Sequence, residues 1–149
     1  MMNRDRITRG RTTYGSSGTT IGLDERLERT LLYPISAILA IFTPLGWLVA
    51  LAVFLIEKNR NVRSHAAQAG VIFGVLSIAK WLIGLTGGLL SHIWVVGSVI
   101  GIAFGLIGAI FFWVIIGLAI LLTIAVWLSP RYRLPWVGNL IEALFARWL

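Results

Sequence analysis

Residues 93–128 read IWVVGSVIGIAFGLIGAIFFWVIIGLAILLTIAVWL, without one charged side chain. As a single helix they would reach about 54 Å, well beyond the roughly 20 apolar residues that cross a 30 Å hydrocarbon core. The stretch therefore predicts an irregular start near 91–95 followed by a long tilted helix with a kink around Gly105–Gly108, or a split into two spans. Its surroundings repeat the pattern. Residues 31–56 and 64–130 together hold one charge, Lys80. The whole chain is 58% hydrophobic and 13% charged, with a mean hydropathy of +0.87. A soluble domain carries about a quarter charged residues and cannot hide two such runs. The expectation is an all-α integral membrane protein with three to four transmembrane helices and amphipathic interfacial helices at both ends.

Working outward, the second apolar helix is expected over 64–90, frayed at its far end by Thr86-Gly87-Gly88. A charged loop precedes it, Glu57-Lys58-Asn59-Arg60-Asn61-Val62-Arg63. The first apolar segment, 31–56, is interrupted by Thr43-Pro44-Leu45-Gly46. Proline lacks a backbone donor, so the segment is either one kinked span or a tight hairpin of two short helices. Before it, Leu23, Leu27 and Leu31 recur at i, i+4 and i+8, as in a helix lying on the membrane surface. Residues 1–22 read as a disordered basic tail, leaving 23–149 as one helical membrane domain. At the other end, Leu140, Ile141, Leu144, Phe145 and Trp148 share a stripe, which predicts an interfacial helix over 136–149.

The net charge of +7 points to lipid rather than nucleic acid, because the basic residues flank apolar runs. Arg4, Arg6, Arg9, Arg11, Arg26 and Arg29 precede the first run; Lys58, Arg60 and Arg63 sit between runs; Arg131, Arg133 and Arg147 follow the last. The connection 86–92 has no Lys or Arg. The positive-inside rule then places both termini and the 57–63 loop in the cytoplasm, in a multi-pass cell-membrane protein. That assignment needs a hairpin at 31–56; a single span there would put the N-terminal tail outside. The first partner is a bilayer with anionic headgroups.

No enzyme is expected. The two histidines, His65 and His92, fall on opposite membrane faces with no carboxylate spaced to join them at a metal. The six carboxylates lie at interfaces or in the tail, and no nucleophile, base and orienting group converge. Cysteine is absent, and no cofactor is called for. The tryptophans, including Trp47, Trp81, Trp94, Trp127, Trp136 and Trp148, fit an aromatic belt.

Three features carry more specific meaning. Arg63-Ser64-His65-Ala66-Ala67-Gln68-Ala69 begins a helix, with Ser64 able to cap it and His65 and Gln68 on one face. Gly70 and Gly74 on this helix, and Gly97, Gly101, Gly105 and Ala109 on the next, recur every four residues, as helix-packing faces do in membranes. Whether they meet each other or another protomer is open. Lys80 either snorkels to headgroups near the 86–88 break, or lines a polar path or pairs with Gln68 or a partner's carboxylate.

The basic loop, R-S-H-A-A-Q-A, an apolar hairpin and Tyr-Arg-Leu-Pro-Trp-Val-Gly at 132–138 together resemble one family over roughly residues 31–146. It comprises bacterial membrane proteins of uncharacterised function related to the Tic-twenty subunit of the chloroplast inner-envelope protein-import translocon. The motif residues Arg63, His65, Ala66, Gln68, Tyr132 and Pro135 carry the resemblance. The apolar stretch 86–105 is longer here than is usual for the family. The resemblance implies a helical membrane domain with both termini on the cytoplasmic or stromal side. It suggests a subunit or scaffold of a membrane complex linked to protein translocation or insertion, partnered by other membrane proteins or by copies of itself. The alternative is a small transporter or channel with Lys80 on its path.

Overall fold

The computed structural model describes residues 19–93, 96–129, 132 and 134–145. Among these the chain is helical: α1 Glu25–Phe42, α2 Leu48–Ile56, α3 Arg60–Leu90, α4 Gly97–Leu128 and α5 Pro135–Phe145. Both α3 and α4 are long and apolar enough to span a membrane. The surface of α4 is largely Val, Ile, Leu and Trp, with Val99, Ile102, Leu106, Ile110 and Trp113 all well exposed. Such a continuous apolar face belongs against lipid or protein, not water.

The helix boundaries depart from the sequence reading in instructive ways. The surface helix expected at 23–32 and the start of the 31–56 segment are one element, α1. Asp24 caps it by accepting from Arg26 N–H at 2.9 Å, and Glu25 and Glu28 lie at its electropositive first turn. Pro34 sits inside it and removes one rung without ending it. The tail expected to be disordered through residue 22 is folded from Thr19: Gly22 N–H donates to Thr19 C=O at 2.9 Å. Gly22 adopts φ +83°, which a residue with a Cβ rarely takes.

The 31–56 segment does turn back on itself. Thr43 closes α1 by donating its backbone N–H and its hydroxyl to Leu39 C=O. Gly46 then brings the turn against Ala40; a Cβ there would lie 2.6 Å from the Ala40 Cβ. The returning α2 packs on α3, with Ala50 facing Gly70 and Trp47 facing Gly74. Trp47 thus sits at the tip of the hairpin, against α3.

The third helix starts earlier than expected, at Arg60, because Asn59 caps it by accepting from Asn61 N–H at 3.0 Å. Ser64 is not the cap. It lies inside the helix and donates to Asn61 C=O at 2.8 Å. α3 also continues through Thr86-Gly87-Gly88 to Leu90 instead of fraying. Gly87 lets α4 approach: a Cβ there would fall 2.5 Å from the Phe104 Cβ. α4 begins at Gly97, after a tight turn at 91–93, and runs unbroken to Leu128.

α1 and α3 run parallel, and α2 and α4 run against them. One end of the bundle gathers the start of α1, the 57–59 loop and the end of α4. There Asn61 Nδ2 donates to Glu25 Oε1 at 3.3 Å, and Arg26 Nη2 donates to Trp127 C=O at 2.8 Å. The Arg26 guanidinium also lies 4.1 Å from the centre of the Trp127 ring. Residues 91–93, after α3, and Val96, before α4, lie at the opposite end. α5 docks at the basic end: Ile141 is buried among Leu32, Phe54, Val62, Ala66 and Ala67. Of the predicted stripe, Leu140 stays half exposed. The side chains of Leu144 and Phe145, and Trp148 altogether, lie outside the described residues, as do Arg131, Arg133 and residues 1–18.

Candidate functional site

Two polar regions and one open cavity hold the side chains that could act. At the basic end, Glu57 is 2% exposed and accepts four bonds. They come from the Thr20 N–H (2.8 Å), the Thr20 hydroxyl (3.1 Å), the Lys58 N–H (2.9 Å) and the Asn59 N–H (2.8 Å). Burial pushes its carboxyl up, but these donors outweigh burial and hold it below the usual carboxylate range. Glu28, 4% exposed, lacks such donors; among the described residues neither of its oxygens has a hydrogen-bond partner. Burial raises its pKa, the Thr19 side chain opposes the rise, and the negative charge of Glu57 adds to it.

One turn deeper, the residues of the Arg63–Ala69 string meet α1. His65 is buried and its Nδ1 lies 2.9 Å from the Tyr33 hydroxyl, with the rings edge-on at 6.2 Å. Tyr33 also packs edge-on against Phe73. Gln68 is buried one helical turn from His65, and its Nε2 has no partner among the described residues. The Ser36 hydroxyl, buried on the facing α1, is likewise unpartnered there. Ala66 is fully buried in the cluster that takes Ile141. Arg63 holds its guanidinium 4.9 Å from the Phe54 ring centre. Tyr132 packs on the main core and donates its N–H to Ser129 C=O at 2.9 Å; Pro135 opens α5. The motif thus builds the junction of α1, α2, α3 and α5.

At the far end a cavity of about 730 Å³ opens between the end of α1, the second half of α3 and the first half of α4. Lys80 lines it, and its amine donates to the Ile41 C=O. Ile41 is in the last turn of α1, where carbonyls lack intrahelical partners and the dipole favours a cation. Ser77 donates to Pro44 C=O at 3.2 Å from the same face of α3. Neither reading of Lys80 anticipated this partner; Lys80 and Ser77 pin the hairpin tip. The signal was available in the polar pair Ser77 and Lys80 at i and i+3 opposite a turn rich in orphan carbonyls.

The glycines separate into two groups. Gly70, Gly74, Gly46 and Gly87 are close-contact positions. Gly97 abuts the Ser91 backbone, so it shapes the connection rather than a helix interface. Gly101 makes only an ordinary contact, 3.5 Å to the Ser91 Cβ, and Gly105 faces open space. The expected α4 stripe is thus not a face packed on another helix of this chain. Gly101 and Gly105 line the cavity instead, with Gly108, Gly84 and Gly88. His92 is at the cavity's mouth, its Nδ1 2.8 Å from Gly88 C=O. Among the described residues no group of three or more His, Asp or Glu could hold a metal.

No known protein family, curated protein or solved structure matches the chain.

Proposed function

We propose that this chain is a non-enzymatic membrane protein serving as a subunit or scaffold of a membrane complex, and that the far-end cavity seats a helix of its partner. One observation carries the reading. A Cβ added at Gly84, Gly88, Gly105 or Gly108 would meet nothing within 4 Å, so these glycines serve no contact within the chain. Bare backbone on two adjacent helices is what close approach of a further helix requires in lipid.

In this reading α3 and α4 cross the membrane of the cell. α2, with nine residues, is about 13.5 Å long and too short to cross. α1 and α2 therefore enter and leave by the basic, cytoplasmic face, which also holds both termini. The three to four crossings expected from sequence become two crossings and a hairpin. The resemblance of Arg63–Ala69 and Tyr132–Gly138 to the Tic-twenty-like family supports protein translocation or insertion as the process served.

The test is purification of the full chain and its Gly108→Leu variant in mild detergent. A stable partner set with the native chain, lost with the cavity-filling variant, is the expected result. A lone oligomer that carries ions across vesicles, with flux blocked by Gly108→Leu, would instead establish the transporter reading.

A further inference from the structure

The cavity has one chemical asymmetry. Its walls are mostly glycine, apolar and aromatic side chains, including Phe104 and Trp81, with Thr43, Ser77, Ser91 and His92, and Lys80 is the one charged side chain among them. An ammonium has three donors, and the Ile41 carbonyl takes one. The other two belong to a charge that lies ten residues before the end of α3, about 15 Å from it. A cation facing largely apolar walls is costly unless an anion meets it. Snorkelling does not meet this need, because the amine is turned to the hairpin tip.

A second copy of this chain cannot supply the anion. Its carboxylates, Asp5, Asp24, Glu25, Glu28, Glu57 and Glu142, all lie outside the apolar segments. A lipid entering from the far face would bring its head to the mouth, at His92, and its tail to Lys80, which reverses the polarity of the site. A helix with an acidic side chain within its span matches both ends.

Resting on the subunit reading above, we propose that the cavity selects a transmembrane helix of another protein that carries one Asp or Glu at the depth of Lys80, flanked by small residues. The carboxylate would pair with the free ammonium protons while the glycine walls of α3 and α4 take the helix backbone.

The experiment uses the full chain, labelled at Lys58→Cys, in phosphatidylcholine vesicles with synthetic Ala/Leu helices carrying a single Glu or a single Gln ten residues from one end. Energy transfer reports association. The Glu helix should associate about tenfold more tightly than the Gln helix. Lys80→Gln should erase that preference, Lys80→Arg should keep it, and Lys80→Glu should transfer it to a helix bearing Lys. Circular dichroism and gel filtration establish that each variant is folded, and the charge exchange stands apart from any loss of stability in Lys80→Gln. Equal association of Glu and Gln helices, blocked by Gly108→Leu, would overturn the acidic partner and leave the helix seat intact. Association insensitive to Gly108→Leu would remove the seat as well. Displacement of the Glu helix by phosphatidylglycerol, dependent on Lys80, would make the cavity a lipid site and overturn the proposal.

Discussion

At the scale of single residues, cations close helices. Arg26 meets the last turn of α4 and Lys80 meets the last turn of α1, at opposite ends of the bundle. Each satisfies a carbonyl left over by its helix and opposes the negative end of the dipole. Lys80→Met should therefore loosen the hairpin by about 1 kcal/mol and speed hydrogen exchange across 43–47, while Lys80→Arg should not. Unchanged exchange in the Met variant would contradict the capping role. The two buried carboxylates give opposite effects. Glu57 is held ionised by its donors, so its contribution is present above the ordinary carboxylate pKa and lost as pH falls through its lower folded value. Glu28 has a raised pKa, so the folded state loses stability as pH rises through the ordinary range up to that folded value. At neutral pH, thermal unfolding in detergent should show Glu57→Gln destabilised, by about 2 kcal/mol from the lost charged hydrogen bonds, and Glu28→Gln stabilised. The same sign for both would refute the assignment. Charge placement was legible in the sequence, since Lys80 and the carboxylates stand out. Partners were harder to read: the Ser77 and Lys80 pair pointed to orphan carbonyls, but the sequence does not say which carbonyl accepts.

At the scale of elements, glycine spacing and glycine contact came apart. A four-residue repeat shows which residues share a face of α4, but not whether that face is covered. Gly74→Leu and Gly87→Leu should each destabilise the protein by about 1–3 kcal/mol, because each inserts bulk against a neighbouring helix. Gly105→Leu should leave stability within about 0.5 kcal/mol, since its side chain enters open space. Detergent melting of the three variants checks the order, and a Gly105 variant as damaged as the other two would refute it. The hairpin was readable as one of two alternatives from Thr43-Pro44-Leu45-Gly46. Its resolution needed the glycines of α3, which accept α2 at Gly70 and Gly74. The start of α3 was misplaced because Ser64 and Asn59 both have capping chemistry, and only the backbone turn at Glu57–Asn59 decides between them.

At the scale of the molecule, the described basic residues Arg26, Lys58, Arg60 and Arg63 gather at one end of the bundle. The start of α1, the 57–59 loop and the end of α4 share an end, with residues 91–93 and Val96 opposite. The native chain has no cysteine, so single cysteines report cleanly. Lys58→Cys and Trp136→Cys should be protected from an impermeant thiol reagent in intact cells, and Ser91→Cys should react. Labelling of Lys58→Cys from outside would invert the topology. That α4 is long and apolar enough to cross a membrane was legible from 93–128 alone, because the run holds no charged residue. The cavity was not, since it arises from the mismatch between a short hairpin and two long helices.

That mismatch also governs how the protein is made. If α1 and α2 enter and leave by one face, as proposed above, the part between α3 and α4 that must pass through the bilayer is residues 91–96, a stretch without Lys, Arg, Asp or Glu. In that proposed topology the 57–63 loop and both terminal segments would stay in the compartment of synthesis. Biogenesis thus reduces to letting a pair of apolar helices slide sideways into lipid, a task for an insertase that needs no motor to drive polar chain across.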